Sequence, residues 1–326
     1  MNGRRRLVLA LGSAALTAPL SPLAQQSAKT YRVGFLSSEA ASDDRDVARL
    51  STLRNGLREL GYVEGRNLVI EARFAGGSYD RLPELAQALV AMKVDVLVAS
   101  GTKPLIAASH ATTSIPIVMG SSGDALGLGL TSNLARPTRN VTGWTFFGTE
   151  VSSKLVELLK ECAPRTARLG YLFNPAESGY AMDAIKRAAS SVAVGLTPIE
   201  VRTPPEIAGA FDRLKAASCD AVLVQAGSMF AVNAKAIADL ALKNGLPSGS
   251  PLYEYAEVGG LLSYGPDRLE GYRRAAVFTD KLLKGSKVAD LPIEQANKFE
   301  LMINMRAAKA LGLSIPQPLA ARARLI

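Results

Sequence analysis

The sequence predicts an α/β protein with two doubly wound lobes of parallel strands, joined by a multi-strand hinge. Short apolar runs alternate with helical patterns along the chain, as buried parallel strands and their connecting helices do. A polar, glycine-rich passage over 120–143 separates two such successions, which indicates a second lobe. The predicted strands are 33–36, 68–72, 94–99, 115–119, 169–173, 196–201, 221–224 and 261–263.

The first two helical patterns have recognisable starts and ends. Apolar residues at 47, 50, 53, 57 and 60 share one face of a predicted helix, and Gly61 supplies its stop. Asp80 can cap the next helix, whose first turn tolerates Pro83. Short connections between these helices and the strands favour doubly wound sheets.

The chain is expected to pass between the lobes near 141–145, 262–265 and 291–294. Lobe I then comprises 30–143 and about 264–291, and lobe II comprises 144–263 and about 292–326. Several connecting strands would form a hinge rather than a loose linker.

Residues 1–24 have the pattern of a signal peptide. Three arginines at 4–6 precede an apolar run at 7–18 that is too short to span a bilayer comfortably, and Ala24 offers a small residue for cleavage. The alternative is a buried N-terminal helix. We predict export to the periplasm as a soluble protein, by the general secretory or the twin-arginine route, without a lipid anchor because no cysteine follows the apolar run.

The charge balance argues against nucleic acid as a partner. The formal net charge is +9, and loss of the three leading arginines leaves about +6, spread without a block of Lys and Arg. The small basic clusters are not interleaved with the aromatic side chains that single-strand binding uses.

The residues that catalysis usually needs are missing. His110 is the only histidine, and the sequence has no G-x-S-x-G elbow, phosphate-binding loop or zinc-ligand pattern. Gly127 and Gly129 lack the spacing of a dinucleotide fingerprint. We therefore predict that the protein is not an enzyme and holds no cofactor or metal.

Short polar loops follow the predicted strands, and ligands bind at this edge of open α/β sheets. In the first lobe, Ser100 and Thr102 open a helix whose N–H groups can seat a carboxylate, and Asp124 can pair with a ligand amine. Simple helix capping by Ser100 or Thr102 is the alternative. The predicted ligand-binding residues are Ser37, Ser100, Thr102, Ser121, Ser122, Asp124, Asn174, Gln225, Ser228, Tyr253, Glu254 and Tyr264.

Three of these residues have equally good structural explanations. Tyr253 and Tyr264 either stack on a ligand or pack the hinge, and Glu254 either contacts the ligand or complements a helix dipole.

The two cysteines permit a disulfide but do not establish one. An even count in an exported chain permits a bond between Cys162 and Cys219, and two free buried thiols are the alternative. Each precedes a strand of the second lobe, and these strands are expected to be neighbours. A bond would therefore lie at the edge of that lobe remote from the cleft.

Several phrases resemble a known family. They are LRELGYVEGRN at 57–67, LTSNLARP at 130–137, NVTG at 140–143, GGLLSYG at 259–265, LPIEQ at 291–295, KFEL at 298–301 and ALGLSIP at 310–316. Together they resemble the substrate-binding proteins of ABC transporters with the type I periplasmic-binding fold. Relatives often carry Gly-Asp-Pro where this chain has Gly123, Asp124 and Ala125.

The resemblance implies two α/β lobes that close over a small molecule. We therefore expect capture of a small polar or amino-acid-like ligand, hinge closure and delivery to a membrane permease. The alternative is a periplasmic sensing module that reports its ligand to a membrane signalling partner.

Overall fold

The computed structural model describes residues 29–326, apart from 124, 147 and 176–181. These residues form two mostly parallel sheets with interleaved helices, which confirms the predicted fold class. The predicted signal peptide at 1–24 lies outside the described residues. In the part of the chain that the structure describes, no helix combines the length and apolar character needed to cross a bilayer.

The first sheet has the strand order β11-β5-β4-β3-β1-β2, and all its neighbouring strands are parallel. Alternate residues of β1, β3 and β4 pack on opposite faces, as the pleat requires: Leu36 lies on the face that α2 and α3 cover, and Phe35 lies on the face that α1 and α9 cover. The elements of this half are β1 (Tyr31–Ser37), α1 (Asp44–Glu59), β2 (Leu68–Phe74), α2 (Leu82–Ala91), β3 (Val96–Ser100), α3 (Thr102–Ala111), β4 (Ile117–Ser122), β5 (Val141–Thr145), α9 (Arg268–Leu283) and β11 (Glu294–Gln295).

The second sheet has the order β13-β12-β10-β9-β8-β6-β7, in which only the β10–β12 pair is antiparallel among the described strands. Its elements are α4 (Gly148–Cys162), β6 (Arg168–Phe173), α5 (Met182–Ser191), β7 (Gly195–Glu200), α6 (Glu206–Ala216), β8 (Ala221–Val224), α7 (Ser228–Val232), α8 (Ala234–Lys243), β9 (Ser248–Ser250), β10 (Leu262–Gly265), β12 (Glu300–Ile303), α10 (Met305–Ala310), α11 (Gln317–Ala320) and β13 (Arg324–Leu325).

Every predicted strand overlaps a strand of one of the two sheets. The chain passes from the first sheet to the second after β5, returns after β10, and passes again between β11 and β12. The division into two lobes that move as units, with limits near 143, 263 and 291, stays a prediction.

Helix α1 buries a different face from the one that its apolar periodicity predicts. Leu53 and Leu57 are buried as expected, but Val47 is 50% exposed. The buried stripe continues instead through Asp46 and Arg49 toward the start of the helix. The apolar part of the buried stripe therefore stops at Leu53, and charged side chains are buried over the first turns of α1, next to the carboxyl end of β1.

Helix α2 starts differently from the prediction. A short 3-10 turn, Tyr79–Arg81, contains Asp80 and leads into α2. Arg81 holds the N-cap position without a side-chain capping bond, and Pro83 lies in the first turn as expected. Asp80 is therefore not the cap, because the chain is already helical where that residue lies.

The disulfide allowed by the sequence is not formed. Cys162 and Cys219 are both free and buried. Cys162 packs with Leu169 and Tyr171, whereas Cys219 packs with Leu172. Since consecutive strand residues point to opposite faces, the sheet itself separates the two sulfur atoms. The strands are neighbours as expected, but strand order alone does not say which face each cysteine occupies.

We expect two titratable thiols per chain after unfolding without reductant, and the same number after reduction. In the folded protein both should react slowly, because burial raises the pKa of Cys162 to about 12 and also raises the pKa of Cys219. A thiol-reactive dye would measure the number of thiols in the unfolded chain and their rate of reaction in the folded protein. An unfolded, unreduced chain without thiols would contradict the structure.

Candidate functional site

Polar side chains gather where the central strands of the first sheet end. Ser37, Ser100 and Ser122 are the last residues of β1, β3 and β4, and all three are buried. These strands are neighbours in the sheet, so the structure brings the three predicted serines to one edge. This is the edge at which open parallel sheets bind ligands.

The start of α3 contributes backbone donors to this edge. Gly101 holds the N-cap position with φ of 104°, a conformation that favours glycine. Within the described residues, no side chain caps the helix at this position, and the first N–H groups of a helix are a favourable place for an acidic group. The Thr102 hydroxyl instead accepts a hydrogen bond from the Gly123 N–H at 3.2 Å. The simple capping alternative is therefore not what these residues do.

The adjacent loop after β4 has one polar atom without a partner. The Ser121 hydroxyl is buried and has no hydrogen-bond partner in the described structure. Ser122, by contrast, donates to the Met119 sulfur at 3.1 Å. Asp124, which was predicted to meet a ligand amine, lies outside the described residues.

The second sheet brings its own predicted residues to this region. The Gln225 side chain accepts a hydrogen bond from the Asn174 N–H at 2.7 Å, so these two residues are joined after β8 and β6. Ser228, at the start of α7, lies near the carboxyl group of Glu39, which follows β1, and opposes the rise of its pKa. Loops at the carboxyl edges of the two sheets therefore meet.

Tyr253 and Tyr264 are both engaged in contacts within the protein. The Tyr253 hydroxyl donates to the Glu300 carboxylate at the start of β12. Burial and then this carboxylate raise the pKa of Tyr253 to about 12. The Tyr264 ring stacks on Phe299 with centroids 5.8 Å apart. These contacts, beside the passages between the sheets, favour the hinge-packing interpretation.

A cluster of charged residues that the sequence analysis missed lies at the start of α1. Asp46 is fully buried and pairs with Arg49 at 2.9 Å, and the Arg49 side chain is also largely buried. Arg45 pairs with Asp43 at 2.7 Å and lies 3.9 Å from Glu39. Glu39 could have been found, because it follows the first strand just as the predicted serines follow theirs.

The carboxyl groups of this cluster are incompletely satisfied. One oxygen of Glu39 and one of Asp46 are buried without a hydrogen-bond partner among the described residues. Burial raises the pKa of both groups, although Arg45 opposes the shift at Glu39 and a bond from Ser37 opposes it at Asp46.

Helix α9 adds two further residues that the sequence analysis missed. The Tyr272 hydroxyl lies 2.6 Å from the Ser100 hydroxyl, which joins the start of α9 to the end of β3. Arg268 lies one turn earlier, on the same side of the helix. Its guanidinium stacks over Phe146 at 5.2 Å, and its Nε atom is buried without a partner in the described structure.

A cavity of about 300 Å³ opens between the two halves of the molecule, beside this cluster. Its lining comes from the start of α1 and from α7, α8 and the 3-10 turn Tyr253–Tyr255, and it includes Glu254. Charged side chains face it from both halves, among them Asp43, Asp44, Arg45, Lys235 and Glu254.

The arrangement can bind a polar molecule. Several of its buried polar atoms lack hydrogen-bond partners among the described residues, and a ligand that supplies such partners stabilises these groups. His110 lies on an exposed part of α3. The described residues contain no group of three or more His, Cys, Asp or Glu placed to hold a metal.

Comparison with known proteins agrees with a site that binds a small molecule. The model of a family described as ABC transporter substrate binding protein matches residues 40–325. The chain is 25% identical over 259 residues to a tyrosine-binding protein of Clostridioides difficile, a match that covers 79% of this chain and 74% of that protein.

Two solved structures share the fold over most of the chain. A conserved domain protein from Vibrio cholerae has 27% identity and a TM-score of 0.84, and the match covers 91% of this chain and 99% of that one. The ABC domain from Streptococcus pneumoniae, solved in complex with L-Trp, has 23% identity, the same TM-score and the same coverage.

Proposed function

The chain belongs to the ABC transporter substrate-binding protein family, and from this premise we propose that it captures an amino-acid-like ligand between its two lobes for uptake. The family is one of solute-binding proteins and not of enzymes, in agreement with the missing catalytic residues. The signal-peptide pattern at 1–24 supports export to the periplasm, and a membrane permease would receive the ligand.

The observation that carries the proposal is a set of buried polar atoms at the carboxyl edge of the first sheet that have no hydrogen-bond partner among the described residues. They belong to Glu39, Asp46 and Ser121. Leaving such an atom unsatisfied costs about 1 to 3 kcal/mol. A protein whose task is to bind a polar molecule keeps these groups ready, and its ligand provides the missing bonds.

The groups present suit an amino acid. The start of α3 and the Ser121 hydroxyl offer hydrogen bonds to a carboxylate. The Glu39 oxygen that lacks a hydrogen bond, 3.9 Å from Arg45, offers one to an ammonium group. The names of two relatives point to the same class, since one is a tyrosine-binding protein and another was solved with L-Trp.

Hinge closure would complete the site. Glu39 and Ser228 belong to different halves and already lie close to each other. A ligand that contacts both lobes stabilises the closed arrangement over the open one, because the second lobe adds contacts only after closure. The closed lobes would then present the surface that the permease binds.

Ligand binding can be followed through Trp144, the only tryptophan of the chain. Its side chain is buried with Phe146, Ala296 and Phe299, where the chain passes between the sheets. Titration with L-tyrosine and other amino acids should give a saturable change in its fluorescence and a higher melting temperature. No response to any amino acid or small organic acid would contradict the proposal.

Replacing Ser121 by alanine should weaken the affinity for the amino acid found in that screen by about tenfold or more, because a hydrogen bond to a charged group contributes about 1.5 to 3 kcal/mol. Stability without ligand should stay the same or rise, since a buried hydroxyl without a partner is removed. Isothermal titration calorimetry measures the affinity.

The matched control is Ser190→Ala, because Ser190 is exposed on α5 and bonds only its own helix at Lys186 in the described structure. It should bind as the wild type does. Equal affinities for the Ser121→Ala variant and the wild type would remove Ser121 from the site.

A further inference from the structure

Arg268 carries a charge that no described carboxylate neutralises by contact. The two other arginines of the cluster each have a carboxylate close by: Arg45 has Asp43 at 2.7 Å and Arg49 has Asp46 at 2.9 Å. Among the described residues, no carboxylate lies within ion-pair distance of the Arg268 guanidinium, whose Nε atom is buried and unbonded. Arg268 is half-buried, and a charge partly removed from water is costly unless a counter-charge is supplied.

The surroundings of Arg268 come from both halves of the molecule. Phe146, directly after β5, supports the flat face of the guanidinium. Glu254, from the second half, attracts Arg268 over a longer distance, while Arg45 and Arg49 repel it. Arg268 therefore lies at the place where the two lobes meet.

This position differs from the start of α3. Arg268 lies by the end of β5, whereas α3 follows β3, and β4 lies between these two strands. Two strand spacings correspond to about 10 Å. An acidic group held at the start of α3 would therefore lie two strands away from β5 and from the Phe146 ring that the guanidinium contacts.

We propose that Arg268 forms a second anion-binding position, so that the preferred ligand carries an acidic group in its side chain in addition to a main-chain carboxylate. The inference rests on the proposed function and names the ligand class more closely. A guanidinium supported by an aromatic ring presents its N–H groups in the plane that matches a carboxylate. The class is an amino acid or organic acid with two acidic groups.

The test compares ligands that differ in that one group. The probes are L-glutamate against L-glutamine, and para-carboxy-L-phenylalanine against L-phenylalanine. In the wild type, the acidic member of at least one pair should bind at least about tenfold more tightly than the neutral one. In Arg268→Met this preference should disappear while the affinity for the neutral member stays within about twofold. Arg268→Lys should keep part of the preference, since it retains the charge without the planar fork.

Stability without ligand provides a second, independent measurement. Arg268→Met should melt at the wild-type temperature or above it, because the variant removes a charge without a contacting partner. The matched control is Arg273→Met on the same helix, where Arg273 is exposed and pairs with Glu270 at 2.7 Å. It should keep the wild-type preference for the acidic probe.

The outcomes separate this inference from the proposed function. If neutral amino acids bind and the acidic probes gain nothing, or if Arg268→Met keeps the preference, the second anion position is rejected and the proposed function stands. A lower melting temperature for both Arg268→Met and Glu254→Gln would assign Arg268 to an inter-lobe contact instead. If no amino acid or acid binds the wild type, both proposals are rejected.

Discussion

Gly271→Ala is expected to destabilise the protein by about 3 kcal/mol and to weaken ligand binding at the same time. A Cβ atom at this position would lie 1.9 Å from the Gly120 carbonyl oxygen and 2.8 Å from the Trp144 ring. The first neighbour is backbone within β4 and cannot turn aside. Helix α9 would have to move away from the sheet, and its first turns carry Arg268 and Tyr272 to the cleft.

Urea unfolding measures the loss of stability, and titration with the amino acid found for the wild type measures the loss of affinity. The matched control is Gly209→Ala, because Gly209 lies within α6 and a Cβ atom there would have no neighbour within 4 Å among the described residues. This control should be neutral or more stable by up to about 1 kcal/mol, since alanine is the better helix former. A Gly271→Ala variant as stable as the control would contradict the close packing of α9 on β4.

Strand positions were readable from the sequence because buried parallel strands are continuous apolar runs. Topology then brings the ends of such strands to one edge, so Ser37, Ser100 and Ser122 could be placed together before the structure was known. Strand β9, Ser248–Ser250, was not predicted, because it consists of two serines and a glycine and has no apolar run. Its burial depends on the strands at either side and not on its own composition.

The charged part of the site could not be predicted from apolar patterns in the sequence. Apolar periodicity assigned Val47 to the buried face of α1, whereas the structure buries Asp46 and Arg49. A prediction from apolar periodicity assumes that the buried stripe of a helix is apolar. That assumption fails where a helix begins at a polar cleft, as α1 does. Arg268 was missed for another reason: α9 returns to the first sheet from far along the chain, and no local pattern shows that return.

Arg49→Met is expected to destabilise the protein by about 3 to 5 kcal/mol, because it leaves the fully buried Asp46 carboxylate without its ion-pair partner. The matched control is Arg54→Met on the same helix. Arg54 and its partner Glu64 are 43% and 39% exposed, and such surface pairs contribute at most about 1 kcal/mol. The double variant Asp46→Leu with Arg49→Met should recover most of the loss, since no buried charge is then left alone.

The loss in Arg49→Met should also depend on pH in a defined direction. Burial already holds the pKa of Asp46 above its ordinary value of 3.8 in the folded protein, and removal of Arg49 raises it further. A carboxyl group with a raised pKa in the folded state binds protons more tightly there, so the stability of the variant falls as the pH rises above about 4. Urea unfolding at about pH 4.5 and about pH 7.5 should show the larger gap to the wild type at the higher pH. A gap that is equal at both values would mean that the Asp46 carboxylate does not stay buried once Arg49 is gone.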